Sequence, residues 1–233
     1  MRTAAILPVK RFAAAKSRLG ASGVVDALRD RLAEAMVADV LVALARTAAV
    51  ERTIVVTREP RVAASAREHG ALLLADDAES GQSAAVALGV ARAIADGFQR
   101  ALCIPGDCPA LDPHELAQLL AAADRRAAAD GDAEVAIVPD RHGAGTNGLL
   151  LTPPDVIAPA FGPHSCERHR ALALAAGARC RIERPASLLL DVDTGDDLAE
   201  LRRRLASTGA AAASTRAVLA QPEDRLLSTI QTG

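Results

Sequence analysis

Short apolar runs alternate along the first half of the chain with longer stretches whose apolar residues recur at helical spacing. Residues 4–9 read as a first strand. Residues 24–46 read as a long helix with Leu28, Leu32, Met36, Val40 and Leu44 on one face. Within residues 52–57, the run Thr53-Ile54-Val55-Val56 is the kind of apolar strand that a parallel sheet covers on both faces. Pro60 suits the first turn of a short helix, and residues 71–74 return to strand. Residues 83–96 are then helical and 100–104 extended, after which Asp112 and Pro113 open a helix over 113–129 as an N-cap followed by proline at the first position. The second half is less regular. It offers strands over 135–138 and 149–151, a proline-rich stretch over 152–163, a helix from about residue 166, a strand over 179–182 and a helix over 196–205. This alternation predicts an α/β fold, a three-layer sandwich around a mostly parallel twisted sheet. A single domain over residues 1–206 is expected, with a weakly ordered tail over 207–233, where small and polar residues prevail.

At 233 residues, half of them hydrophobic, the chain can bury a substantial core. A net charge of −2 lacks the basic excess of a nucleic-acid binder. Three Phe with no Tyr or Trp leave little for stacking bases. No apolar run approaches the roughly 20 residues that span a bilayer. The apolar start is short and interrupted by Pro8, unlike a secretory leader. Neither nucleic acid nor membrane is therefore expected as a partner, and the expected location is cytoplasmic. Cys103, Cys108, Cys166 and Cys180 form no CxxC pair, so a zinc site is not expected and reduced thiols are the default.

Candidate chemistry gathers at the ends of the strand-like runs. Leu189-Leu190-Asp191-Val192-Asp193-Thr194 carries two carboxylates that would share one face of a strand and aim at one cation. Asp107, in Gly106-Asp107-Cys108-Pro109, follows the strand over 100–104. Carboxylates at strand ends of an α/β sheet lie where such folds bind ligands. Hard oxygen ligands there suit magnesium, with water and substrate phosphate completing its shell. In the competing reading, Asp193 or Thr194 simply caps the helix that follows. Lys10, Arg11, Lys16 and Arg18 crowd the exit of the first strand and suit a polyphosphate, lysine as a point charge and arginine as a bidentate fork; a solvated basic turn is the alternative. Neither a Walker sequence nor GxGxxG occurs, against a P-loop or dinucleotide enzyme. Gly145-Thr146-Asn147-Gly148 offers a hydroxyl, an amide and two glycines able to take positive φ, so that backbone N–H groups converge. Phe161-Gly162-Pro163-His164-Ser165 ends at a helix start, a ready anion site. An ordinary hairpin turn and an ordinary N-cap compete with these two. His164 and His169 are read as solvated bystanders, and His142 is unassigned.

Pro8-Val9-Lys10-Arg11, Ala15-Lys16-Ser17-Arg18-Leu19 and the four later segments just quoted, taken in chain order across about residues 4–205, resemble the 2-phospholactate or phosphoenolpyruvate guanylyltransferase family of coenzyme F-420 biosynthesis. The resemblance implies a nucleotidyltransferase fold of the nucleotide-diphospho-sugar transferase type, GTP as donor and Mg2+ as cofactor. It implies a small phosphorylated carboxylic acid as acceptor, phosphoenolpyruvate before 2-phospho-L-lactate, and release of pyrophosphate. It assigns metal holding to Asp107, Asp191 and Asp193, acceptor binding to Thr146, Gly162 and Ser165, catalytic handling of the triphosphate to Lys10, Lys16 and Arg18, and nucleotide binding to Gly81, Gln82 and Ser83. Relatives that charge sugars or molybdopterin open with a glycine-rich loop. Here Ala13-Ala14-Ala15 stands in its place, which throws phosphate binding onto side-chain cations. A nucleotidyltransferase for molybdopterin or a sugar phosphate, and a non-catalytic nucleotide-binding module, are the competing functions. A homodimer and hand-off of product to the next enzyme are further expectations.

Overall fold

In the computed structural model, which describes residues 1–12, 19, 26–130, 133–207 and 211–221, the first apolar run forms β1 (Thr3–Val9), buried along its length except at the half-buried Pro8. Beside it stand β2 (Arg52–Thr57), β3 (Leu72–Leu74), β4 (Arg100–Cys103), β5 (Glu134–Pro139), β6 (Thr146–Thr152) and β7 (Arg179–Ile182). They make one sheet in the order β3-β2-β1-β4-β6-β5-β7. β6 runs antiparallel to both neighbours, and the remaining pairings are parallel.

Strand alternation sends successive side chains to opposite faces, and helices cover both. On one face Ala5 and Leu7 of β1 meet Val37, Val40 and Leu44 of α1 (Asp26–Arg46), Val62 of α2 (Pro60–Glu68), and Leu116 and Leu120 of α4 (Pro113–Asp130). On the other, Ala4 and Ile6 meet Val86 and Val90 of α3 (Gln82–Ala95) and Cys166 and Ala173 of α5 (Ser165–Ala175). The three layers expected from the apolar pattern are thus present. The approach of α3 to β1 is very close: a Cβ at Gly89 would lie 2.5 Å from Ile6 Cγ2. A third cluster joins Leu190, Val192 and Leu198, Leu201 and Leu205 of α6 (Gly195–Ser207) to Leu32 and Met36 of α1.

Two features of the topology position the site. The chain runs outward from β1 through β2 to β3, then returns to lay β4 on the other side of β1. That reversal opens a crevice at the carboxyl ends of β1 and β4, where such sheets take ligands. Because β6 is reversed, its first residues lie at this same edge, with Thr146 opposite Pro139 at the end of β5.

Two expectations need correction. Asp191 and Asp193 are not on a strand of the sheet; a 3-10 turn (Ala186–Leu188) leads into an irregular extended segment. The apolar residues there are spent on packing against α1 and α6, which leaves no neighbouring strand to pair with. The tail is also more structured than its composition suggests, since α7 (Ala213–Leu219) docks on α1. Its first N–H groups find no local cap. Instead Asp39, buried in the middle of α1, accepts from Ser214 N at 2.9 Å and Thr215 N at 2.8 Å. A cap supplied by a distant helix leaves no local signature. Residues 208–210 and 222–233 of that tail, and the expected helix start at residues 24 and 25, lie outside the described residues.

Replacing this remote cap tests the docking. Asp39→Ala should cost about 1–2 kcal/mol in urea unfolding, the range for a lost N-cap, and should speed proteolytic cleavage beyond residue 207. An unchanged midpoint and cleavage rate would show that α7 contributes nothing to the fold.

Candidate active site

The carboxyl ends of β1 and β4 open into a cavity of about 720 Å³. Lys10 and Arg11 enter its wall from the exit of β1, Asp107 from the exit of β4, and Asp193 from the segment before α6; Gly81 and Gln82 enter at the start of α3, with Asp76 and Glu79 just before them. Among the expected site residues, the cavity therefore gathers one basic residue, two aspartates and two of the three nucleotide candidates. Lys10 is exposed. Arg11 Nε pairs with Glu79 Oε1 at 2.8 Å, so the wall carries its own counterion. Lys16 and Arg18, with Ala13-Ala14-Ala15, lie outside the described residues.

The exit of β1 is clamped by β2. Thr57 Oγ1 donates to the Val9 carbonyl at 2.7 Å and accepts from Glu59 N at 2.9 Å. Glu59 in turn accepts from Phe12 N at 2.9 Å and Arg61 Nε at 3.1 Å, and the Arg61 guanidinium lies over the Phe12 ring. Burial works against the charge of Glu59, yet the Phe12 N–H and the Arg61 guanidinium together hold its carboxyl below the usual range.

The acids are arranged by one backbone bond. Val192 N donates to the Asp107 carbonyl at 3.0 Å, laying the extended segment along the β4 exit. Leu190 and Val192 then point into the core and are fully buried, while Asp191 and Asp193 are half-buried on the other side. Asn147 Nδ2 donates to Asp191 Oδ1 at 3.1 Å. Burial first, then the negative charges of Asp107 and Asp193, push Asp191 up to about 6 against the opposing effect of the Asn147 amide. Thr194 caps the helix that follows, as the competing reading has it. Thr194 and Asp197 cap the start of α6 reciprocally, Asp197 Oδ2 accepting from Thr194 N at 2.8 Å and Asp197 N donating to Thr194 Oγ1 at 3.3 Å. Asp197 Oδ1 also pairs with Arg141 at 2.6 Å.

The three-aspartate metal cluster expected from the sequence is not formed as a unit: among the described residues, no three His, Cys, Asp or Glu side chains come close enough to hold one ion. Irregular backbone sends Asp191 toward Asn147 and Asp193 into the cavity wall. The donor chemistry still fits magnesium, which is commonly held by one or two carboxylates plus substrate phosphates. The raised Asp191 reflects burial first and the charges of Asp107 and Asp193 second, and a dication would offset both.

Thr146 and Ser165 are buried, and with Gly162 they lie outside the lining of that cavity. Ser165 Oγ donates to Thr146 Oγ1 at 3.1 Å. Ser165 is the first residue of α5 rather than its cap; His164, left-handed at φ 56°, precedes it. Gly145 and Gly148 do not take positive φ. They are glycine for space, since a Cβ would lie 2.7 Å from Asp140 Oδ2 at Gly145 and 2.9 Å from Leu188 Cδ2 at Gly148. The N–H groups that converge in this turn, from His142, Ala144 and Gly145, converge on the Asp140 carboxylate. Ser83 is likewise engaged, accepting from Phe161 N at 2.8 Å. Asn147, beside Thr146, links this group of residues to Asp191.

His169 is the largest departure from expectation. It is fully buried, with Nδ1 3.1 Å from Thr146 Oγ1 and Nε2 accepting from Ala160 N at 2.9 Å. Its spacing from Ser165, four residues on along a helix, sets both on one face, and that was the available signal. Asn147 also stood within a quoted motif. Glu59 could be read from the sequence as the cap before Pro60, but its bond to Phe12 N could not, because that partner is remote in sequence.

A sequence profile of the family described as "Guanylyl transferase CofC like" matches residues 3–210. Over 221 residues the chain is 51% identical to a phosphoenolpyruvate guanylyltransferase of Conexibacter woesei, covering 95% of this chain and 96% of that one. A protein of the same description from Sphaerobacter thermophilus is 37% identical, covering 86% and 93%. Among solved structures, the chain is similar to a putative nucleotide-diphospho-sugar transferase from Desulfovibrio desulfuricans G20, with a TM-score of 0.74 at 18% identity and 98% of each chain covered. It is also similar to a CMP:2-keto-3-deoxy-manno-octonic acid synthetase complexed with CTP, with a TM-score of 0.58 at 15% identity, 89% of this chain and 99% of that one. These two likenesses show the nucleotidyltransferase-type fold.

Burial first, with Arg168 adding to it, lowers His169 to about 4. An unfolded imidazole titrates near ~6.5. Between these values the unfolded chain binds the extra proton, so this contribution to stability is complete above the upper value and drains away as pH falls toward the lower one. Urea midpoints of wild type and His169→Asn should therefore differ most above pH 6.5 and converge as pH falls toward 4. A difference independent of pH would contradict the buried neutral ring.

Proposed function

Because the chain belongs to the family described as guanylyl transferase CofC-like, we propose that it moves GMP from GTP to the phosphate of a three-carbon phospho-acid, phosphoenolpyruvate before 2-phospho-L-lactate. It is a nucleotidyltransferase, and neither a non-catalytic module nor an acceptor of the molybdopterin or sugar-phosphate type is favoured. The observation that carries the proposal is the meeting, in one crevice at the switch between β1 and β4, of a basic strand exit and a wall of carboxylates.

An acceptor phosphate oxygen attacks the α-phosphorus of GTP; the bond from that phosphorus to the bridging oxygen breaks, and pyrophosphate leaves. With its second pKa near ~6, the acceptor phosphate is largely dianionic at neutral pH, so no protein base is required. What remains for the chain is alignment of two anions and neutralisation of their charge. Lys10, with Lys16 and Arg18, offsets charge on the departing pyrophosphate. Gly81 and Gln82, at a helix start facing the cavity, suit the nucleotide. Ser83 accepts from Phe161 N and keeps its hydroxyl proton for the nucleotide. Thr146, Gly162 and Ser165 take the acceptor, supported by their nearness through Asn147 to Asp191. Asp191 with Asp107 or Asp193 would hold Mg2+, which would supply positive charge to offset that of the reacting phosphates. The setting is cytoplasmic, where GTP is made, and a homodimer with onward delivery of the diphosphate product completes the proposal.

Pyrophosphate release from GTP, measured with phosphoenolpyruvate, 2-phospho-L-lactate and 3-phosphoglycerate and read against product mass, tests this directly. Phosphoenolpyruvate with Mg2+ should give the fastest release and a GMP-linked product; silence with all three acids would defeat the proposal. Asp191→Asn should reduce kcat by about 100-fold or more, and Asn147→Ala by about 10–100-fold, the usual cost of losing a group that orients a metal ligand. Activity of Asp191→Asn near wild type would remove that residue from the reaction.

A further inference from the structure

His169 has no exposed surface and stands behind Thr146 and Ser165 rather than beside them in an opening. One obligatory donor defines its state. The Ala160 amide N–H can only donate, so Nε2, 2.9 Å away, must accept and carries no proton. In a neutral ring the proton is then on Nδ1, which faces Thr146 Oγ1 at 3.1 Å and donates to it. Burial keeps the ring neutral at physiological pH. Ser165 Oγ donates to the same Thr146 oxygen. A hydroxyl has two lone pairs and one proton. With both lone pairs taken, Thr146 can act on a further partner only as a donor, the polarity that an anionic oxygen needs.

The ring is held by more than these two bonds. The Phe161 ring meets it edge-on, with centroids 5.1 Å apart. Arg168 Nη2 donates to the carbonyls of Ala160 and Phe161, each at 3.0 Å, fixing the strap that supplies the Ala160 N–H. Phe161 N is in turn tied to Ser83 on the first turn of α3.

We propose that His169 is a positioning residue of the acceptor site: its Nδ1–H tautomer commits the Thr146 hydroxyl to donating its proton to a carboxylate or phosphate oxygen of the acceptor. This rests on the assignment of Thr146 and Ser165 to the acceptor. A solvated or merely space-filling histidine at this position would have no effect on which substrate binds.

Two substitutions separate the ring's nitrogens. The Asn amide reaches the place of Nδ1 and can keep the donor to Thr146; the Gln amide reaches that of Nε2 and can keep the acceptor for Ala160 N–H. With GTP and phosphoenolpyruvate as substrates, His169→Gln should raise the KM for phosphoenolpyruvate about tenfold, as for loss of one hydrogen bond to a charged group. His169→Asn should raise it no more than about threefold, and neither should move the KM for GTP. In a Thr146→Val background, His169→Gln should add little, because both changes remove the same bond. Equal KM effects from Asn and Gln, parallel rises for both substrates, or additivity with Thr146→Val would each overturn the proposal. Nitrogen-15 spectra of wild-type imidazoles supply a check free of variant folding: a protonated Nδ1 in the buried ring supports the assignment, and a protonated Nε2 refutes it. Should wild type release no pyrophosphate with any of the three acids, the functional proposal itself fails, an outcome distinct from an active wild type whose His169 variants do not discriminate.

Discussion

One backbone hydrogen bond, from Val192 N–H to the Asp107 carbonyl, organises the carboxylate side of the crevice. It joins two segments far apart in the chain and sets which way the intervening side chains face. Leu190 and Val192 are driven inward by burial against α1 and α6, and the alternation of extended backbone then leaves Asp191 and Asp193 no choice but the polar side. Hydrophobic packing, rather than attraction among the acids, brings like charges together. The cost is visible in the raised Asp191, whose burial and neighbours both oppose its ionisation.

The fold is legible in the sequence wherever burial is two-sided. β1, β2 and β4 carry unbroken apolar runs because helices cover both faces, and α1 shows its stripe because one side meets the sheet. Legibility ends where a partner is remote. α7 depends on a carboxylate in α1, so its own residues look like a tail. The segment before α6 looks like a strand because its apolar residues alternate with acids, but those residues satisfy a helix layer and not a ladder.

The site divides in the same way. Asp107, Asp191 and Asp193 declare themselves by their place after apolar runs, and Lys10 by the charge around it. Thr146 and Ser165 are legible through their motifs, but their environment is not: what surrounds each hydroxyl is settled by His169 and by the strap at Ala160 and Phe161. Gly145 and Gly148 illustrate the difference between residue type and reason. Both positions are crowded, by Asp140 and Leu188, and that crowding, not backbone handedness, is what favours glycine there.

The Arg11–Glu79 pair in the cavity wall changes the nature of anion capture there. Both side chains are about half exposed, and parting such a pair costs roughly 0–1 kcal/mol. An incoming anion can take the remaining N–H groups of the guanidinium but must displace this tethered carboxylate to claim Nε, so capture at that point is an exchange of partners. A small lone ion gains little from that trade, whereas a chain of linked phosphates can displace Glu79 at one point while gripping Lys10 at another. For the triphosphate of the proposed reaction, such an exchange would favour a polyanion over a simple salt.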